Sequence, residues 1–164
     1  DVASALAHVV AQADELNIDP RRIVLMGHSA GAHLVALVGT DPRYLRDAGL
    51  GSDAPAGIVA LDGAAYDVAK QMKAGPRFMG ETYAQAFGTD PARQRALSPT
   101  HHKDGAEQSS VLADALRKNE TQVQLNAFEG RGLQGHMDIN RRLGDPDYPA
   151  TAVLDRWLKA RLQP

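Results

Sequence analysis

The chain has 164 residues, which suits one domain with a hydrophobic core better than two. Hydrophobic residues make up 43% of it, charged residues make up 23%, and the net charge is −2. These proportions are typical of a globular protein, and the scattered lysines and arginines argue against a nucleic-acid-binding surface. Because the sequence contains no cysteine, disulfides, thiolate catalysis and cysteine-ligated metals are excluded.

The sequence shows no membrane or export signal. No apolar run reaches the length of a membrane span, and the first residues lack a signal-peptide pattern. We therefore expect neither a membrane nor a nucleic acid as a partner, and the lack of a signal favours the cytoplasm. Asp1 leads directly into helical periodicity, which predicts a processed or partial chain. Nothing in the sequence indicates an oligomeric state.

The first part of the chain alternates between helix and strand patterns. Apolar residues recur at helical spacing from Val2 to Leu16 and predict an amphipathic helix. Residues 21–27 end in a short apolar run typical of a buried strand, and the small apolar residues 30–38 predict a packed helix. Residues 56–62 predict a second buried strand.

The second part of the chain continues this order. Residues 66–100 mix glycine, proline and polar residues and predict a helical and loop insertion. A helix over 107–118, a third strand over 121–128 and a closing amphipathic helix over 153–162 follow. This order predicts one α/β domain over residues 1–164, with a parallel sheet covered by helices on both faces.

The most informative motif is Gly-His-Ser-Ala-Gly at residues 27–31, between a predicted strand and a predicted helix. A serine on such a sharp turn exposes its hydroxyl, and glycines two residues to either side make room for the turn. Ser29 is therefore the candidate nucleophile, and the amide of Ala30 at the helix start is the candidate oxyanion donor. The alternative is a chance match in a glycine-containing loop.

A nucleophilic serine needs a general base, and His136 is the candidate. It follows the last predicted strand in a glycine-rich loop over residues 130–136, where reactive groups of open parallel sheets gather. The five other histidines are expected to have other roles: His8, His28, His33, His101 and His102. His28 is expected to pack or to form a local hydrogen bond. Among them, we expect His33 to be buried and satisfied, and His101 and His102 to border the pocket.

Four segments together resemble the carboxylesterases of the α/β-hydrolase superfamily: residues 27–34, 61–67, 98–99 and 135–140. The branch they resemble is the one shared by hormone-sensitive-lipase-like esterases and by kynurenine-formamidase-like or feruloyl-esterase-like proteins. The resemblance implies cofactor-free and metal-free hydrolysis of a small carboxylic ester through an acyl-enzyme. It also implies that Ser29 attacks, that His136 moves the proton, and that Gly27, His28 and Ala30 border the oxyanion and the substrate.

The resemblance also implies an acid that orients His136. Residues 103–109 resemble the loop that carries this acid in the family, which makes Asp104 the candidate. Asp62, at the end of a predicted strand, is the main alternative, because some relatives carry the acid one strand earlier. Asp138 and Asp67 are weaker candidates, and Asp104 could instead be an exposed helix cap.

The sequence departs from the family in two places. It lacks the His-Gly-Gly loop and neighbouring strands that complete the oxyanion hole, and it lacks the strand expected before Asp104. We therefore expect an incomplete α/β-hydrolase fold, with a chain break between Thr100 and Asp104, near His102 and Lys103. Two other functions are compatible with the residues: an amidase of the formamidase kind, and a non-catalytic or inactive relative.

Overall fold

The computed structural model describes residues 1–75, 77–102, 108–118, 120–130 and 132–163. Its first part contains these elements: α1 (Val2–Ala11), α2 (Ala13–Leu16), a 3₁₀ turn (Pro20–Arg22), β1 (Val24–His28), α3 (Ala30–Thr40), α4 (Pro42–Asp47) and β2 (Gly57–Leu61). Its second part contains these: α5 (Val68–Ala74), a 3₁₀ turn (Arg77–Met79), α6 (Gly80–Phe87), α7 (Pro91–Ala96), α8 (Pro99–His102), α9 (Gln108–Lys118), α10 (Gly132–Arg141) and α11 (Pro149–Leu162).

Several helices begin at an aspartate that caps the first turn. Asp41 and Asp90 each accept hydrogen bonds from backbone amides of the following turn, and a proline occupies the first helical position after each. Asp67 caps α5 in the same way by accepting from the amide of Lys70. These caps start α4, α5 and α7 at positions where apolar periodicity alone gives a weak signal.

The two strands form a parallel sheet. Val24 is opposite Gly57, and the register continues to His28 opposite Leu61. Both strands therefore end at the same edge, and the residues that follow them, Ser29 and Asp62, are brought close together. The predicted strands over 21–27 and 56–62 are confirmed within a few residues.

Helices cover both faces of this sheet. A side chain at Gly39 of α3 would meet Ile58, so α3 packs closely on the face to which Ile58 points. Neighbouring strand residues point to opposite faces, and a side chain at Gly57 would overlap the Trp157 ring of α11. The expected α/β arrangement of a parallel sheet with helices is present, in a small form.

The core consists of two clusters with α3 between them. One contains Ala3, Leu6, Val38 and Leu45, and joins α1, α3 and α4. The other contains Ala36, Tyr66 and Leu112, with Leu116 packed against it. Because α3 contributes to both clusters, the helix that follows the serine turn is firmly packed in the core.

The predicted third strand is wrong. Residues 121–128 are described but form no strand, and most of them are exposed. They line a cleft of about 1030 Å³ together with residues of β2, so an open space separates this segment from the sheet. An extended segment becomes a strand only when a neighbouring strand satisfies its amides and carbonyls. Apolar alternation predicted the extended shape but could not supply the partner.

Two further expectations concern residues 99–107 and 130–136. Residues 99–102 form α8, and residues 103–107 lie outside the described part, as do Asp104 and the junction where a chain break was expected. The glycine-rich segment before His136 is not all loop, since α10 begins at Gly132.

Within the described part of the chain, none of the helices combines the length and the apolar character needed to cross a bilayer.

Candidate active site

Ser29 lies on a strained turn between β1 and α3. Its φ of 56° and ψ of −117° are unusual for a residue with a side chain. The amide of Ser29 donates to the carbonyl of Leu61 at 3.0 Å, which ties the turn to the end of β2. The strain and this bond hold the hydroxyl at the edge of the sheet, as the motif predicts.

The two glycines of the motif have different roles. A side chain at Gly27 would overlap the carbonyl group of Gly31, whereas a side chain at Gly31 would meet nothing within 4 Å. The expectation that both glycines prevent collisions is therefore correct for Gly27 and wrong for Gly31. The turn brings the backbone of residue 31 against residue 27, and the asymmetry follows from the direction of each Cα–Cβ bond.

His136 lies on α10, within hydrogen-bonding distance of Ser29. Its Nε2 is 3.1 Å from the Ser29 hydroxyl oxygen, in the range expected for a nucleophile and its base. The imidazole is 28% exposed, so one edge remains open to a substrate. The structure thus brings together the two residues that the sequence selected as nucleophile and base.

Asp62 contacts the other nitrogen of His136. Its Oδ2 lies 2.7 Å from Nδ1 of the imidazole. Asp62 follows β2 directly and has a φ of 43°, a left-handed conformation that turns its side chain toward the end of β1. A carboxylate accepts at Nδ1, so that nitrogen carries the proton and Nε2 is free to accept from Ser29. The acid in contact is thus the alternative candidate; Asp104 lies outside the described residues.

The other two aspartates considered as acids are engaged elsewhere. Asp138 accepts a 2.7 Å hydrogen bond from the side-chain amide of Gln134, one turn earlier on α10. Asp67 accepts from the backbone amide of Lys70 at the start of α5. Both therefore have local roles.

His28 and Ala30 flank the nucleophile on different sides. Ala30 is the first residue of α3, where amides have no partner within the helix, so its N–H can serve an oxyanion. His28 turns instead to α10: its Nε2 lies 2.8 Å from the backbone oxygen of His136, and the two ring centroids are 4.5 Å apart. Sequence reasoning predicted a local contact for His28 and a place beside the substrate, and it missed this partner.

His33 is buried and satisfied, as expected. It is 5% exposed, and its Nε2 donates to the carbonyl of Leu97 at 2.9 Å. Burial lowers the pKa of His33 below its usual range, so the imidazole is neutral. His8 is exposed on α1. Neither residue contributes to the site.

A large cleft borders the site. Asp62 and His136 are among the residues that line it, and apolar residues of several helices and of β2 line it as well, among them Leu116, Ile139 and Trp157. Tyr66 also lines it; burial, followed by the nearby charge of Asp62, raises the pKa of Tyr66 to about 12, which keeps the phenol neutral. The candidate site therefore adjoins a mostly apolar space. Among the described residues, no group of acidic residues and histidines has the arrangement of a metal site.

The small parallel sheet, the helices around it and the serine turn at its edge are consistent with the esterase-like group of α/β-hydrolases. A comparison with protein families agrees: the family model BD-FAE, which belongs to that group, matches residues 1–125. The chain therefore belongs to the BD-FAE family. The match includes Ser29 and Asp62 and ends before His136. Comparisons with curated proteins and with solved structures find no match.

Proposed function

We propose that this protein is a serine hydrolase that cleaves small carboxylic esters through an acyl-enzyme. Membership of the BD-FAE family indicates a hydrolase of the esterase-like kind. The observation that supports the serine mechanism is the continuous hydrogen-bonded series from Asp62 to His136 at 2.7 Å and from His136 to Ser29 at 3.1 Å. This order of acid, base and nucleophile defines the roles that each side chain takes.

In the acylation step, the Ser29 oxygen attacks the ester carbonyl carbon while its proton passes to Nε2 of His136. The resulting oxyanion accepts a hydrogen bond from the amide of Ala30. The C–O bond to the leaving group then breaks, and the leaving oxygen takes the proton from Nε2. Asp62 stabilises the imidazolium throughout by accepting from Nδ1.

In the deacylation step, a water molecule takes the place of the alcohol. His136 accepts a proton from the water, whose oxygen attacks the acyl carbon. The proton then returns to the Ser29 oxygen as the carboxylic acid leaves. Every proton that moves is carried by Nε2, so no further group is required to balance the cycle.

The proposal is tested with p-nitrophenyl acetate, a chromogenic short-chain ester, on the whole chain. We expect turnover by the wild type and a fall to the background rate in Ser29→Ala. Ser4→Ala is the matched control, since Ser4 is an exposed serine on α1, and it should retain full activity. Equal activity in Ser29→Ala and the wild type would overturn the proposal. So would an inactive wild type that cleaves only a formanilide, which would assign an amidase instead.

A further inference from the structure

The helix that carries the base is weakly held by the rest of the molecule. None of its residues is buried, and all of them lie in the described part of the chain. Apolar packing is what normally fixes the position of a helix in a domain. The position of α10, and with it that of His136, therefore depends on the polar contacts that the helix makes.

Three polar contacts join His136 to the sheet edge. Two use its imidazole, which must exchange protons during the proposed reaction: those with Ser29 and Asp62. The third uses its backbone carbonyl, which accepts from Nε2 of His28 at 2.8 Å. A carbonyl has no proton to give, so Nε2 of His28 carries the hydrogen. This is the contact that stays unchanged while the protons move.

His28 is well placed to fix the distance between the base and the nucleophile. It is the last residue of β1, opposite Leu61 in the sheet, and it directly precedes Ser29 in the chain. Its ring is half-buried and lies against the His136 ring, tilted by 38°. The hydrogen bond therefore connects the backbone of the base to the rigid strand that carries the nucleophile.

We propose that His28 is a positioning residue that holds the backbone of His136 so that Nε2 of His136 faces the Ser29 hydroxyl. The proposal rests on the proposed hydrolase function. It differs from a role in substrate binding, since the donor of His28 is already used by the carbonyl of His136. A displacement of about 1 Å at a catalytic group can lower the rate by about 100-fold. Loss of this donor should therefore slow catalysis without weakening binding.

The test uses two pairs of variants, one that differs in position and one that differs in the N–H donor at residue 28. His28→Phe keeps an aromatic ring without an N–H, and His8→Phe makes the same change at an exposed position on α1. His28→Gln supplies an N–H at a similar reach, and His28→Met has a similar length without one. For each variant, kcat and KM are measured with p-nitrophenyl acetate, and unfolding is followed by thermal denaturation.

We expect His28→Phe and His28→Met to lower kcat by about 10- to 100-fold with little change in KM. His28→Gln should recover most of that loss, and His8→Phe should match the wild type. If His28→Phe does not fold, the comparison of kcat between His28→Gln and His28→Met tests the proposal. Equal kcat values for Gln and Met, or a wild-type kcat in His28→Phe, would overturn the proposal.

A second readout does not depend on activity. The proton on Nδ1 of His136, shared with Asp62, should give a low-field proton resonance in the wild type. We expect this resonance to shift or disappear in His28→Met and to persist in His28→Gln. An unchanged resonance in His28→Met would contradict the positioning role even if the protein hydrolyses no ester. An inactive wild type with the expected resonance changes would instead contradict only the hydrolase proposal.

Discussion

Asp62 and His136 are 74 positions apart in the chain and share a 2.7 Å hydrogen bond at the edge of the two-stranded sheet. Asp62 directly follows one strand, and the imidazole it contacts reaches Ser29, which directly follows the other strand. The candidate site is therefore built across the sheet edge, with one residue from the turn after each strand and one from α10.

Replacement of Asp62 by asparagine should lower kcat strongly without unfolding the protein. The amide no longer selects the Nδ1–H tautomer of His136 or stabilises its imidazolium, and a change of this kind can cost about 10⁴-fold. The measurement is kcat for p-nitrophenyl acetate beside a denaturation curve.

Asp104→Asn is the matched comparison for Asp62→Asn. Because Asp62 already contacts His136, the kcat of Asp104→Asn should stay within a few-fold of the wild-type value. A larger loss in Asp104→Asn than in Asp62→Asn would show that the loop over 103–109 carries the acid after all. Equal large losses would show that both carboxylates act on His136.

The two glycines of the serine motif should respond differently to alanine. Gly27→Ala forces a methyl group into the backbone of Gly31 and should lower the free energy of unfolding by about 2 to 4 kcal/mol. In Gly31→Ala the added methyl group has open space around it on α3. This variant should raise the free energy of unfolding by less than about 1 kcal/mol. Urea denaturation of both variants is the check, and equal destabilisation would refute the asymmetry.

Stability should fall below neutral pH because of His33. Burial lowers its pKa in the folded state, so below about pH 6.5 the unfolded chain binds a proton that the folded chain resists. The contribution of His33 to the free energy of unfolding is fully present above that pH. It is lost as the pH falls toward the pKa of His33 in the folded state, by at most about 1.4 kcal/mol per pH unit.

His33→Gln should flatten this pH dependence, and His8→Gln should leave it unchanged, because His8 is exposed. The measurement is the free energy of unfolding between pH 5 and pH 8. An identical slope in His33→Gln and the wild type would assign the effect to another group.

Ser98 should be important for stability. It is fully buried; its hydroxyl donates to the carbonyl of Gln94 at 2.7 Å and accepts from the amide of Val68 at 3.0 Å. Ser98→Ala removes both bonds and should cost about 1 to 3 kcal/mol. Denaturant unfolding of Ser98→Ala beside Ser4→Ala checks this, and equal stabilities would contradict it.

Those parts of the site whose residues are close together in the chain could be predicted from the amino-acid sequence. The serine motif places a strand, a turn and a helix within residues 24–40, and their local patterns agree with each other. The same holds for His33, whose small and apolar neighbours on α3 predict burial. The different roles of Gly27 and Gly31 could not be predicted, because they depend on the direction of each Cα–Cβ bond in the folded turn.

The parts that depend on distant residues could not be predicted with the same success. Asp62 follows a predicted strand, whereas Asp104 lies in a segment that resembles the acid loop of the family, and only the folded geometry brings Asp62 to His136. The bond between His28 and the carbonyl of His136 spans 108 positions and has no pattern in the sequence. The predicted strand over 121–128 failed for the same reason, since pairing depends on a neighbour and not on the segment itself.

Covalent labelling tests the central claim most directly. A fluorophosphonate reacts with a serine hydroxyl that a histidine activates, and peptide mapping by mass spectrometry then identifies the modified residue. The Asp62–His136–Ser29 arrangement predicts labelling at Ser29, loss of labelling in Ser29→Ala, and slow labelling in His136→Ala. Labelling at another serine, or unchanged labelling of Ser29→Ala, would contradict the account.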